Sequence, residues 1–202
     1  MTTMIQPENI RPISFIVMVL LIWTLEKVKP SFNNSLLKRK SINTYLLLFS
    51  MLFMKAFIPF SIVGILDISR KLNFTFLALH NLPIWADLLI LIIVFDFLIY
   101  WQHRFFHIFT PLWKLHKVHH CDVEMDLTTG YRFHPIEIII SGMYKMFFLL
   151  LLRPLPEVYI VYEVILSSMA IFNHGNFLLP KKLDKVLRMI IVTPNMHYPH
   201  HD

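Results

Sequence analysis

Five apolar stretches separated by short charged segments set the plan of this chain: residues 12–25, 42–66, 83–101, 136–152 and 155–172. A helix that crosses a bilayer takes about 20 apolar residues. The second and third stretches are long enough to span alone, while the first, fourth and fifth read as tilted, short or partly inserted. Lys55 and Pro59 interrupt the second stretch, which is expected either to kink or to divide into two half-helices. The fourth and fifth are joined by Arg153, Pro154, Leu155 and Pro156, a turn rich in helix breakers, and so form a helical hairpin. The pattern predicts an all-α integral membrane helical bundle of about four to five apolar helices. Residues 1–82 form its N-terminal membrane helices and residues 83–202 a second domain.

Composition agrees with the pattern. The chain is 56% hydrophobic and 14% aromatic, and its mean hydropathy of +0.58 is too high for an ordinary soluble domain. Its four glycines, at 64, 130, 142 and 175, lie too far apart to build a dinucleotide or phosphate loop, so reducing equivalents must come from elsewhere. The single cysteine, Cys121, cannot form an internal disulfide and reads as a packing residue rather than a ligand. A net charge of +6 could indicate nucleic acid, but the basic residues collect between the apolar runs. Lys27, Lys29, Lys38, Arg39 and Lys40 form one group, and Lys181, Lys182, Lys185 and Arg188 another. This is the pattern of cytoplasmic loops, with attraction to anionic headgroups as a by-product. A nucleic-acid partner is not expected. If the first three runs each cross once, the basic loops and everything just after Trp101 share the cytoplasmic face. With only Glu8 and Arg11 charged before the first run, no secretory signal peptide is expected.

Histidine supplies the candidate chemistry. Eight of the eleven histidines fall into three clusters: His103 and His107; His116, His119 and His120; His197, His200 and His201. Residues three or four apart share a helix face, and histidine is the commonest metal ligand. One zinc takes three or four ligands, so eight imidazoles point to two metal ions held close together. From residue 83 to Tyr100 is roughly 27 Å of helix, about the thickness of the hydrocarbon core. His103 should therefore emerge at the interface beside Tyr100 and Trp101, on a helix that runs to about Phe109. Thr110 and Pro111 then read as an N-cap and first helical position, opening a new helix for the second cluster.

Other polar residues carry two readings each. Asp96, Tyr100, His103 and His107 lie on one helix face. A carboxylate inside an apolar span needs a partner, and Asp96 is expected to support a ligand histidine or else to pair with Lys55. His134 and Glu137, at the start of the fourth run, either extend the metal shell or cap and orient a helix. His174, at the end of the fifth, is either a ninth ligand or a cap for helix carbonyls. Asp87 reads as interfacial and His80 as a surface residue, neither with a function.

The ordered segments Asp96 to His107, Leu112 to His120, Arg132 to Glu137, Asn173 to Asn176 and Thr193 to His201 together resemble the fatty acid hydroxylase and sterol desaturase superfamily, over roughly residues 84–202. The resemblance implies an integral membrane enzyme with a non-haem di-iron centre in a histidine-rich helical cap. It implies that O₂ and two electrons are used to hydroxylate or desaturate a fatty acyl chain or sterol-like lipid. The implied ligands are His103, His107, His116, His119, His120, His197, His200 and His201, with His174. The implied partners are a bilayer lipid and an electron donor such as a cytochrome, ferredoxin or reductase. The membrane would be a bacterial inner membrane or the endoplasmic reticulum, with the metal on the cytoplasmic face. Two departures stand beside it. Pro199 falls inside the third cluster, where only a start near Thr193 and Pro194 would spare a helix. The chain also stops at Asp202, where members of the superfamily continue, so an inactive truncated member is one alternative. Another is a histidine-rich metal transporter or store, although its ligands should then line the spans. A metalloprotease would need a glutamate between His103 and His107, where Arg104 stands.

Overall fold

The computed structural model describes residues 7–32, 37–57, 62–71, 77–122 and 124–201, and within these it is helical with no strand. The helices are α1 (Pro7–Val28), α2 (Leu37–Phe57), α3 (Ile62–Lys71), α4 (Ile84–Ile108), α5 (Thr110–His116), α6 (Pro135–Leu152), α7 (Pro156–Asn173), α8 (Lys181–Leu187) and α9 (Pro194–His201). Among the described residues three are long and apolar enough to cross a membrane: Asn9–Val28, Ile84–Ile108 and Pro135–Leu152. The second apolar stretch, long enough to span but expected to kink or divide, is divided into α2 and α3, and neither piece qualifies. Pro59 lies between them, outside the described residues, as does Asp202. The first stretch reaches spanning length because its polar flanks, Asn9 and Arg11 at one end and Glu26 and Lys27 at the other, continue the helix.

The contacts divide the chain into two interleaved compact units, with the boundaries falling inside α2 and α7. The first comprises Met1–Leu48, Lys117–Phe133 and Val164–Asp202. Its core joins Ile22, Leu127, Ile171 and Phe177, with Phe15, Met18 and Val19 packed against them. Phe15, Met18, Val19 and Ile22 follow helical i, i+3, i+4 and i+7 spacing, so one face of α1 is inward. Its other face leaves Ile16, Val17 and Leu20 more than half exposed, as a lipid-facing surface requires. Glu26, one turn beyond Ile22, is buried, and its Oε1 accepts the backbone N–H of Leu127 (2.7 Å) and of Asn176 (2.9 Å). One carboxylate thus fastens two loops to the end of α1.

The same unit buries a charged network. Asp126 is fully buried and accepts the Thr128 N–H (2.8 Å) and hydroxyl (2.6 Å), while Arg39 and Lys40 pair with it from α2. Asp122 pairs with Arg132 and accepts hydrogen bonds from Asn43 and Thr129. Arg39 and Lys40, expected to face lipid headgroups, are instead partners of buried carboxylates.

The second unit comprises Phe49–His116 and His134–Glu163. Asp87, Leu91 and Phe95 form the buried face of α4, and Phe95 packs on Tyr162 at 5.2 Å. Asp87, expected at the interface, is completely buried and accepts the Leu155 N–H ahead of α7 (2.8 Å). Arg153 turns the chain between α6 and α7 in the left-handed region, with φ 45°. Its carbonyl accepts the N–H of His80 (3.1 Å), which is half-buried rather than on the surface. Lys145 of α6 and Glu163 of α7 form an ion pair at 2.8 Å.

Candidate metal centre

In the second unit, His103 and His107 occupy the last two turns of α4, four residues apart, with ring centroids 4.8 Å apart. A single extended residue, Phe109, separates α4 from α5. It lets α5 fold back so that His116 lies 4.8 Å from His103 and 5.0 Å from His107. Thr110 is already helical, one residue earlier than the capping pattern suggested, a difference within the ordinary ambiguity of helix ends. His134 caps α6, its Nδ1 accepting the Ile136 N–H, and Pro135 opens the helix. That start places buried Glu137 against His116, whose Nδ1–H donates to Glu137 Oε1 at 2.7 Å. The carboxylate can only accept, so Nδ1 of His116 carries a proton and in the neutral ring Nε2 bears the lone pair, as in metal-bound histidines held by a carboxylate. Asp96 is exposed on α4, and among the described residues it makes no hydrogen bond to a histidine. Of the two carboxylates singled out, Glu137 is the one on an imidazole.

In the first unit the second cluster does not continue one helix. His119 and His120 lie in a separate 3₁₀ turn, His119–Cys121. This break gathers His119 with His174, His197 and His201, one ring nitrogen of each lying within 4.8 Å of the others. His119, His174 and His201 are buried, and His197 is half-buried. Each is aimed by a different part of the fold. His119 stacks on Phe133 (4.4 Å, 10°), and its Nδ1–H donates to the Arg132 carbonyl at 3.1 Å. His174 lies just past α7 and donates from Nδ1 to the Ala170 carbonyl at 2.6 Å. It therefore both caps a helix carbonyl and joins the cluster. His197 and His201 stand one turn apart on α9, which runs through Pro199 and ends two residues later. The Thr193 carbonyl accepts the N–H groups of Met196 and His197, and its hydroxyl donates to buried Asp184 at 2.5 Å.

These bonds fix the tautomer of two members of the quartet. A carbonyl cannot donate, so Nδ1 is the protonated nitrogen in both His119 and His174, and in the neutral ring Nε2 bears a lone pair. Those two Nε2 atoms face each other at 3.1 Å, and His197 Nε2 lies 3.0 Å from that of His174. Lone pairs so placed repel unless a cation sits among them. A first-row ion about 2.1 Å from each imidazole nitrogen would leave tetrahedral neighbours about 3.4 Å apart, a few tenths of an ångström from the spacing present. Both ring nitrogens of His201 are buried without a hydrogen-bond partner among the described residues. Burial first, and then the imidazoles of His174, His120, His197 and His200, hold its pKa far below the ordinary histidine value. It is neutral, the form that binds a metal. His120 stacks on His201 at 4.2 Å, and exposed His200 lies 4.8 Å from His120 at the rim. The residues present fit a metal ion. An all-imidazole shell suits iron, zinc or copper alike.

A family model described as fatty acid hydroxylase matches residues 88–202, more than half of the chain. The chain belongs to the fatty acid hydroxylase family. Membership places it among oxidoreductases that act on lipids. No curated protein and no solved structure matches it. The fatty acid hydroxylase domain begins inside α4 and contains every histidine of the quartet and the triad, while α1, α2 and α3 precede it.

Within this domain, reading by residue type passed over Gly130 and Asp122. A Cβ at Gly130 would stand 2.6 Å from the Ala170 carbonyl oxygen and 3.3 Å from His174 Nδ1. The loop can reach the His174 bond only without a side chain. Asp122 holds Arg132, whose carbonyl orients His119. The only signal in the sequence is the density of Asp, Thr and Gly over 122–130, which marks a structured turn.

Proposed function

We propose that this protein is an integral membrane hydroxylase or desaturase that holds about two irons in its histidine clusters and oxidises a fatty acyl chain or sterol-like lipid with O₂ and two electrons from an external donor. The observation that carries the metal is the pair of opposed Nε2 atoms of His119 and His174, whose Nδ1 protons are spent on backbone carbonyls, with His197 Nε2 beside them. The family carries the substrate class. Three helices of spanning length support a bilayer location. The exposed lysines Lys27, Lys29, Lys181, Lys182 and Lys185 support a cytoplasmic metal face.

His119, His174, His197 and His201 would hold one iron, and His103, His107 and His116 would belong to the other. Bound there, iron would supply the O₂ chemistry needed to oxidise an unactivated C–H bond. The chain does the rest. Glu137 holds the His116 ring and its tautomer, the Arg132 and Ala170 carbonyls hold those of His119 and His174, and burial excludes water from reactive species. A lipid would enter from the bilayer. Electrons would come from a cytochrome, ferredoxin or reductase, because the chain lacks a nucleotide-binding glycine loop.

The test is metal content of the full chain purified in detergent, with His174→Ala and His103→Ala in parallel, followed by lipid product analysis with and without O₂. About two irons per chain, reduced in each variant, with an O₂-dependent oxidised lipid, is the expected result. Folded wild-type protein without stoichiometric metal, or iron-loaded protein that oxidises no lipid with a reductant present, would overturn the reading.

A further inference from the structure

We infer that residues 178–192, centred on α8, form an in-plane membrane anchor that seats on an anionic lipid surface beside the end of α1. The inference rests on α1 crossing the bilayer and not on the metal chemistry.

Three observations within the first unit converge. The first is an exposed apolar surface: Leu178, Leu183, Val186, Met189, Ile190 and Val192 are all exposed, Ile190 by 84% and Met189 by 74%. In water such a cluster of large side chains is a liability, and it marks a contact. The second is the arrangement of charge. At about 100° per residue, Leu183, Val186 and Ile190 share one face of the helix and the turn that prolongs it. Lys181, Lys185 and Arg188 lie opposite, and buried Asp184 with half-buried Leu187 and Ile191 attaches the element sideways to the protein. An apolar face opposed by lysines is the signature of a helix lying in a headgroup layer, whose anionic lipids complement the charge. The third is depth. Asn176 donates its N–H to Glu26 at the end of the α1 span (2.9 Å), and its carbonyl accepts the Ser31 N–H (3.2 Å). Phe177 packs against Ile22 of the same helix. The apolar cluster begins at the next residue, level with the end of a spanning segment.

The test places an environment-sensitive fluorophore at Ile190→Cys in the full chain carrying Cys121→Ser, reconstituted in vesicles of phosphatidylcholine with or without phosphatidylglycerol. Lys185→Cys serves as the water-facing comparison and Val17→Cys, on the exposed face of α1, as the measure of the span itself. The expected result is blue-shifted emission at 190 that brominated lipid quenches and aqueous iodide does not, with the opposite pattern at 185. Quenching at 190 should deepen with phosphatidylglycerol, and Lys181→Gln, Lys182→Gln and Lys185→Gln together should remove that increment. Iodide quenching at 190 while 17 is quenched by lipid overturns the anchor alone, whereas loss of lipid quenching at 17 overturns the membrane reading beneath it. Protection of 190 from both quenchers would mean a protein covers the face, and a depth indifferent to phosphatidylglycerol would remove the anionic surface. Either outcome sinks the inference.

Discussion

Tautomer control is the residue-scale feature from which the centre's chemistry follows. An imidazole is held in one orientation and tautomer for metal when its other nitrogen donates to a fixed acceptor, and here that acceptor is Glu137 for His116 and a backbone carbonyl for His119 and His174. Changing Glu137→Gln replaces a pure acceptor by an amide that can present either end, so the ring loses its enforced orientation. Supporting partners of metal ligands are typically worth 10–100-fold in affinity or activity. Iron retention against a competing chelator should fall by about that factor, with helix content by circular dichroism unchanged. Gly130→Ala tests the quartet of the first unit. A methyl group 2.6 Å from the Ala170 carbonyl oxygen must push either the loop or the end of α7 away, so iron bound by the quartet should drop while α4 and α5 keep their triad. The histidines that gather into clusters were readable in the sequence, because histidine is scarce outside them and its spacing is conspicuous. Which carboxylate supports them was not. Asp96 shares a face with His103 and His107 but is itself exposed, whereas Glu137, 21 residues after His116 in the chain, arrives from another helix.

At the scale of elements, the sequence located the helices well and one decisive break not at all. The extents of α6 and α7 follow the apolar runs to within a few residues, and α4 ends beside the expected Phe109, because proline and the polar turns punctuate them. Division of the second run into α2 and α3 was one of the two outcomes Lys55 and Pro59 pointed to, whereas the 3₁₀ turn that parts His116 from His119 depends on tertiary packing that periodicity does not encode. That second break decides the partition of the histidines, since a continuous helix would have kept all three of its cluster on one face. The α8–α9 junction is similarly hidden. Thr193 is fully buried, donating to Asp184 and accepting from the first turn of α9, so it transmits the position of α8 to His197 and His201. Thr193→Val keeps the shape and removes the hydroxyl, leaving a buried carboxylate oxygen short of a donor at a cost of about 1–3 kcal/mol. A lowered thermal midpoint and weaker iron retention are expected together, and a drop in the midpoint without any change in iron retention would show that the junction does not position α9.

For the molecule as a whole, the buried Asp126 network shows how charged residues can be structural in so apolar a chain. Basic residues between apolar runs read as loops facing headgroups, and nothing in their spacing distinguishes Arg39 and Lys40, which close on Asp126, from Lys181 and Lys182, which stay exposed. The distinction is made by a carboxylate nearly ninety residues away in sequence, joined to α1 through Lys40 and Glu26 (3.7 Å). Burial by itself would raise the pKa of Asp126, but the Thr128 hydroxyl, Lys40, Arg39 and the Thr128 N–H outweigh it and hold the carboxyl below its ordinary value of 3.8. Folding therefore favours the ionised form, and the sign of the pH dependence follows. The stabilisation is fully present above about pH 4 and is lost as the pH falls through the lowered folded value. Asp126→Asn leaves Arg39 only the more distant Asp122 carboxylate (3.9 Å) and the Glu124 carbonyl, and should destabilise the protein at neutral pH by about 3 kcal/mol, the order seen when one partner of a buried pair is removed. Thermal unfolding in detergent across the acid range checks this. The difference between wild type and variant should be constant from neutral pH down to about pH 4 and should narrow below it as the wild type alone loses its ionised carboxylate. A difference that persists undiminished in strong acid would mean that shape rather than charge at position 126 holds the first unit together.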